Sequence, residues 1–125
     1  MGWIAFSGHA AFEDLDFEPF RAHFADDACA FFPGPRVERA CGREEIEATF
    51  RKVFEAERQA GTSGPPYLHL DPEDLRIQLL GPDVAVATFH LRNAERVARR
   101  TFVFVRRGDR WLIVNLHASN IPVAR

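Results

Sequence analysis

The sequence predicts an α+β domain in which helices come first and an antiparallel sheet follows. Two observations carry this. Apolar residues between positions 16 and 54 recur with the 3.6-residue helical period, whereas from position 67 onward they recur with the two-residue period of strands. The loop-like run Gly61-Thr62-Ser63-Gly64-Pro65-Pro66 separates the two regimes. At 125 residues the chain has the size of one domain with one core, so residues 1–125 are expected to form a single unit.

Asp16 is placed to cap a first helix whose Phe17, Phe20 and Phe24 fall at i, i+3 and i+7, and which is expected to end near Asp26-Asp27. Residues 28–32 then read as a short strand stopped by Pro33-Gly34-Pro35. Gly42 precedes a long helix with Ile46, Phe50, Val53 and Phe54 along its buried stripe. Glu44, Glu45 and Glu47 crowd its first turns, where the positive end of the helix dipole favours acids without any catalytic role. Five strand candidates follow at 67–71, 75–80, 84–92, 100–107 and 110–119. The last two are apolar on both faces, as in Thr101-Phe102-Val103-Phe104-Val105. One face then needs helices over it and the other a second subunit, which predicts a homodimer through the outer sheet face, with Val103, Val105, Ile113 and His117 in the interface.

Composition excludes several function classes. With 46% hydrophobic and 27% charged residues the chain is globular, and its apolar runs are too short to span a bilayer, so no membrane partner is expected. The start Met1-Gly2-Trp3 lacks a basic segment followed by an apolar one, which leaves the cytoplasm as the expected location. A net charge of -2 hides a split: residues 1–74 are acidic and residues 92–125 arginine-rich. The arginines are scattered through strands with no nucleic-acid-binding motif, so the two charge sets are expected to face each other within the domain or across an oligomer. Cys29 and Cys41 have neither CxxC spacing nor a histidine placed to complete a zinc site, and are expected to be free thiols. No metal or other cofactor is implied: HExxH, an EF-hand loop and a phosphate-binding glycine loop are all missing from the sequence.

Asp26-Asp27 followed by Ala28, the run Gly42-Arg43-Glu44-Glu45-Ile46, the long helix and the closing Trp111-Leu112-Ile113-Val114-Asn115-Leu116-His117-Ala118-Ser119 together resemble the SnoaL-like branch of the NTF2-like superfamily, over residues 12–120. The ending is also similar to that of the calcium/calmodulin-dependent kinase II association domain. The resemblance implies a cone, with N-terminal helices packed on a curved, mainly antiparallel sheet, a pocket between the layers and a dimer across the sheet. Relatives include isomerases, dehydratases, cyclases and assembly domains, so the fold does not select the function.

Position by position, the resemblance argues against ketosteroid isomerase chemistry. The general base of those enzymes corresponds to Phe32, before Pro33; the oxyanion aspartate corresponds to Phe102; and the oxyanion tyrosine corresponds to Gly8 or His9. Phenyl rings cannot accept a proton. The pocket arginines of the kinase association domain correspond to Phe89, Phe102 and Ala118. What remains is an apolar pocket lined by Phe24, Phe32, Phe50, Phe54, Phe89, Phe102, Phe104, Val114, Leu116 and Ala118, with Arg100 either the one charged side chain that reaches its mouth or a solvated arginine at the strand end. The same rings could equally fill a core.

His9 and His117 are the weak candidates for acid/base work. The face of His117 depends on the hairpin at Gly108-Asp109. A two-residue turn would put Phe102 and Phe104 on the face of Ile113, Asn115 and His117, whereas a longer loop with a bulge would put them with Val114 and Leu116 and send His117 outward, the arrangement the resemblance favours. His23 beside Asp26 or Asp27, and His69 beside Asp71, are expected to be structural pairs. The leading expectation is binding of a small apolar or weakly polar molecule. The alternatives are an isomerase, dehydratase or cyclase acting on a polyketide- or steroid-like substrate, and a non-catalytic assembly module. The sequence names no ligand.

Overall fold

The computed structural model describes residues 22–33, 37–59, 72–92 and 96–122. Residues 16–21 of the first expected helix, the strand candidate at 67–71, His9, His69 and the Val53 and Phe54 side chains lie outside the described residues. The described elements are β1 (Phe24–Phe31), β2 (Ala40–Cys41), α1 (Arg43–Gln59), β3 (Glu73–Gly81), β4 (Val84–Arg92), β5 (Arg96–Arg107) and β6 (Arg110–Pro122). The strands form one sheet in the order β2-β1-β6-β5-β4-β3. Only β1 and β6 pair in parallel; the other four neighbouring pairs are antiparallel.

The helical spacing that ran through Phe24 misplaces the start of β1. Phe24 pairs with Ile113 and is buried, so the strand begins there and not at Ala28. The two aspartates occupy a register shift between Phe24 and Cys29, where both point to solvent. Each is held by an arginine: Arg43 lies 3.2 Å from Asp26, and Arg107 grips Asp27 with two parallel bonds of 2.8 and 3.1 Å. The Arg107 hydrogen bond is the main reason the Asp27 carboxyl sits below its ordinary pKa. The Arg107–Asp27 pair and Glu73–Arg92 at 3.0 Å join the acidic and arginine-rich parts of the sequence, whereas Arg43–Asp26 lies within the acidic part.

The hairpin between β5 and β6 combines features of both expected registers. Its turn is the two residues Gly108-Asp109, with Arg107 opposite Arg110 and Gly108 at φ +67°, a conformation that favours glycine. A bulge follows: Phe104 faces Ile113, Val103 faces Asn115, and Val114 is the extra residue between them. Past it, Phe102 pairs with Leu116 and Thr101 with His117, so His117 lies on the outer face, exposed. The expected interface position of Ile113 is corrected by the same bulge, because Ile113 is 4% exposed and packs in the core beside Phe104.

The expectation of free thiols is also corrected: Cys29 and Cys41 form a disulfide. They are directly opposite in the β1–β2 pairing, with Cα atoms 4.1 Å apart. A two-residue strand such as β2 leaves no periodicity, so linear spacing could not reveal this neighbour. Gly42 follows at φ +90°; its N–H donates to the Ala28 carbonyl at 2.8 Å, and its own carbonyl accepts the first helical bond, from Ile46 at 3.1 Å. Ile46 and Phe50 are the buried stripe of α1, as expected. The Phe50 ring lies 5.5 Å from that of Phe24 and 5.0 Å, edge-on, from that of Phe32, which ties the helix to β1.

Candidate functional site

The inner face of the sheet is floored by alanines. Ala28, Ala30, Ala40, Ala85, Ala87, Ala98 and Ala118 are all buried, and their short side chains allow whatever packs above to come close. This alternation, visible in the sequence at 28 and 30 and at 85 and 87, is a signal that attention to the phenylalanines overlooked.

On that floor the described phenylalanines form two groups. Phe24, Phe32 and Phe50 pack at the α1–β1 contact. Phe89, Phe102 and Phe104 run along β4 and β5, with ring centroids 5.6 Å apart for Phe89–Phe102 and 6.0 Å for Phe102–Phe104. Phe104, Leu116 and Ala118 belong to the core, whereas Phe89 and Phe102 are half-buried. Val114, expected to line the pocket, is instead the extra residue of the β6 bulge and is half-buried.

Arg100 pairs with Phe89 on one side and Ala118 on the other, which places it on the same inner face. Its Nη1 donates to the carbonyls of Arg99 at 3.0 Å and Ser119 at 3.2 Å, and to Oδ1 of Asn120 at 3.4 Å. Burial first, and the neighbouring Arg96 second, lower its pKa from the ordinary value.

The described histidines do not converge on this face. The His117 ring lies 5.5 Å from that of Phe31, tilted against it, and Phe31 is itself covered by Arg39 on the outer side. His90 Nδ1 lies 3.8 Å from Asp74. His23, expected to pair with an aspartate, uses its carbonyl to accept the Ile113 N–H at 2.7 Å, and its imidazole pKa is lowered by burial and then by Arg110. Among the described residues no group of three or more His, Cys, Asp or Glu side chains gathers to hold a metal, and no helix is long and apolar enough to cross a membrane.

Comparison with known proteins gives this geometry its context. The sequence model of the SnoaL-like domain matches residues 7–124. Among solved structures, an NTF2-like protein of unknown function from Pseudomonas putida KT2440 is 20% identical, with 94% of this chain and 82% of that chain covered and a TM-score of 0.77. A ketosteroid isomerase-like protein from Erwinia carotovora atroseptica is 18% identical, with 96% and 92% covered and a TM-score of 0.76. A candidate calcium/calmodulin-dependent protein kinase II association domain from Xanthomonas campestris is 24% identical, with 98% and 86% covered and a TM-score of 0.69. No curated protein matches the chain. The fold is therefore NTF2-like, an α+β cone with a curved, mainly antiparallel sheet.

A negative result is expected from one assay. Phe32 and Phe102 carry no titratable group, and a missing general base alone costs about 10²- to 10⁴-fold in rate. Incubation with a Δ5-3-ketosteroid should give no isomerisation above buffer; turnover beyond a trace would show that another residue supplies the base.

Proposed function

This chain belongs to the SnoaL-like domain family, and from that premise we propose that it is a single-domain homodimer binding a small, predominantly apolar molecule between its helices and the inner face of its sheet. The observation that carries this reading is incomplete closure: Phe89, Leu91 and Phe102 stay half-buried on a face whose neighbouring alanines are sealed. Burying a ligand's apolar surface there supplies roughly 25 cal/mol per Å². The test is a crystal structure of protein purified without added ligand, paired with mass spectrometry of its small-molecule extract. Elongated density over Phe89 and Phe102 supports the reading. Rings sealed by the protein's own side chains would favour a non-catalytic assembly module.

The dimer is assigned to the outer face, where Val86 faces Val103 and Val84 faces Val105 across β4 and β5, all partly exposed, with His117 and Phe31 further along the sheet. Such an interface buries over ~1,000 Å². Light scattering at micromolar concentration should give a dimer mass for the wild type and a folded monomer for Val103→Lys. A monomeric wild type would overturn the assignment. The cytoplasmic setting expected from the sequence belongs to the same proposal, and the Cys29–Cys41 bridge weighs against it, because reducing cytosol opens most such pairs.

A further inference from the structure

Building on the ligand-site reading above, we propose that the molecule it takes is an amphipathic carboxylic acid, its carboxylate held by Arg100 and its apolar body lying over Phe89 and Phe102. Arg92, Arg106 and Arg107 each have a carboxylate within 3.0 Å, and the described arginines without one, Arg39, Arg76, Arg99 and Arg110, are exposed, where water serves the charge. Arg100 is half-buried, where an unpaired charge costs more, yet among the described residues no carboxylate lies within ion-pair distance of it.

The bonds Arg100 does make position it without neutralising it. All three come from Nη1 and all three go to neutral oxygens. Among the described residues Nε and Nη2 have no acceptor, and these two donors form the side of the guanidinium that grips a planar carboxylate with two parallel bonds. The charge that lowers its pKa, after burial, is another cation, Arg96, four residues earlier on the same strand face. An anion arriving here relieves that repulsion and replaces the hydration the guanidinium has lost.

The surroundings limit the rest of the ligand. Phe89 is directly opposite Arg100 on β4, and Phe102 is the next residue on the same face of β5. A group attached to the carboxylate must therefore be apolar. A dianionic phosphate would bring a second charge against an apolar floor, so a monoanion is the better fit.

The test uses three matched probes, 4-phenylbutanoate, 4-phenylbutanamide and 4-phenylbutylamine, titrated calorimetrically into the full chain. Wild type should bind the acid about tenfold or more tighter than the amide, with the amine weakest. Arg100→Gln keeps a donor for Ser119 and Asn120 but removes the charge, and should cancel the preference for the acid, bringing its affinity down to about that of the amide. Circular dichroism establishes that the variant is folded; should it not fold, Arg100→Lys, which keeps a point charge without the fork, should retain part of the preference. Equal binding of acid and amide by wild type, or an acid preference that survives Arg100→Gln, overturns the carboxylate assignment and leaves the ligand-site reading standing. Failure of all three probes to bind overturns both.

Discussion

Phe50→Ala should destabilise the protein by about 3–5 kcal/mol, the usual cost of removing a buried phenyl ring. The large value follows from what the ring joins. Phe50 is on α1, while its partners Phe24 and Phe32 lie on β1 and just past its end, so truncation opens a cavity at the contact between helix and sheet. Against a typical total of 5–15 kcal/mol this is a large fraction of stability, and urea unfolding should show a lower midpoint with an unchanged slope. Phe50→Leu refills most of the volume and should cost clearly less. Phe102→Ala is the informative control, because its ring is half-buried and away from α1. If Phe50→Ala costs under 1 kcal/mol, the helix is held by contacts other than this aromatic group.

The same aromatic group shows what the sequence could and could not convey. Ile46 and Phe50 were legible because a helix of 17 residues repeats its period several times, and strands of 9 to 13 residues do likewise. Val84–Arg92 was read to the residue. Short or irregular pieces left no such trace. Phe24 looked helical because i, i+3, i+7 spacing ignores a strand whose register breaks at Asp26-Asp27. The outward position of His117 is as expected, but its cause lies further along: a bulge at Val114 changes the register five residues after the turn, where local turn chemistry gives no sign of it. At the site, the phenylalanines are legible as a class, yet their division into a group at the α1–β1 contact and a group along β4 and β5, of which Phe89 and Phe102 stay half-buried and Phe104 is in the core, depends on strand order. Arg100 is legible as the remaining charge; that no carboxylate among the described residues meets it depends on where the acids end up.

Reducing the Cys29–Cys41 bridge, or replacing both residues with serine, should lower stability by about 3 kcal/mol, since the bridge closes a loop across a sequence separation of 12 and removes that freedom from the unfolded chain. For a domain of this size the melting temperature should fall by roughly 10 °C. The two treatments should agree and should not add, because they delete the same constraint; dithiothreitol added to the double-serine variant should do nothing further. The native state should also respond locally. β2 is held to β1 by two residue pairs, one of which is the bridged pair itself, and Gly42, whose N–H bonds to Ala28, starts α1 immediately afterwards. Amide exchange should therefore quicken at Ala40, Cys41 and Gly42 on reduction, while the long β5–β6 hairpin keeps its protection. Uniform loss of protection would mean that the bridge acts only on global stability. An unchanged melting temperature, with alkylation confirming two free thiols, would mean that it does not constrain the unfolded chain as its loop length requires. Alkylating the thiols at the moment of lysis decides the setting as well: in a reducing cytosol both cysteines should label and the chain should work without this clamp, whereas protection from label would place the protein where disulfides persist.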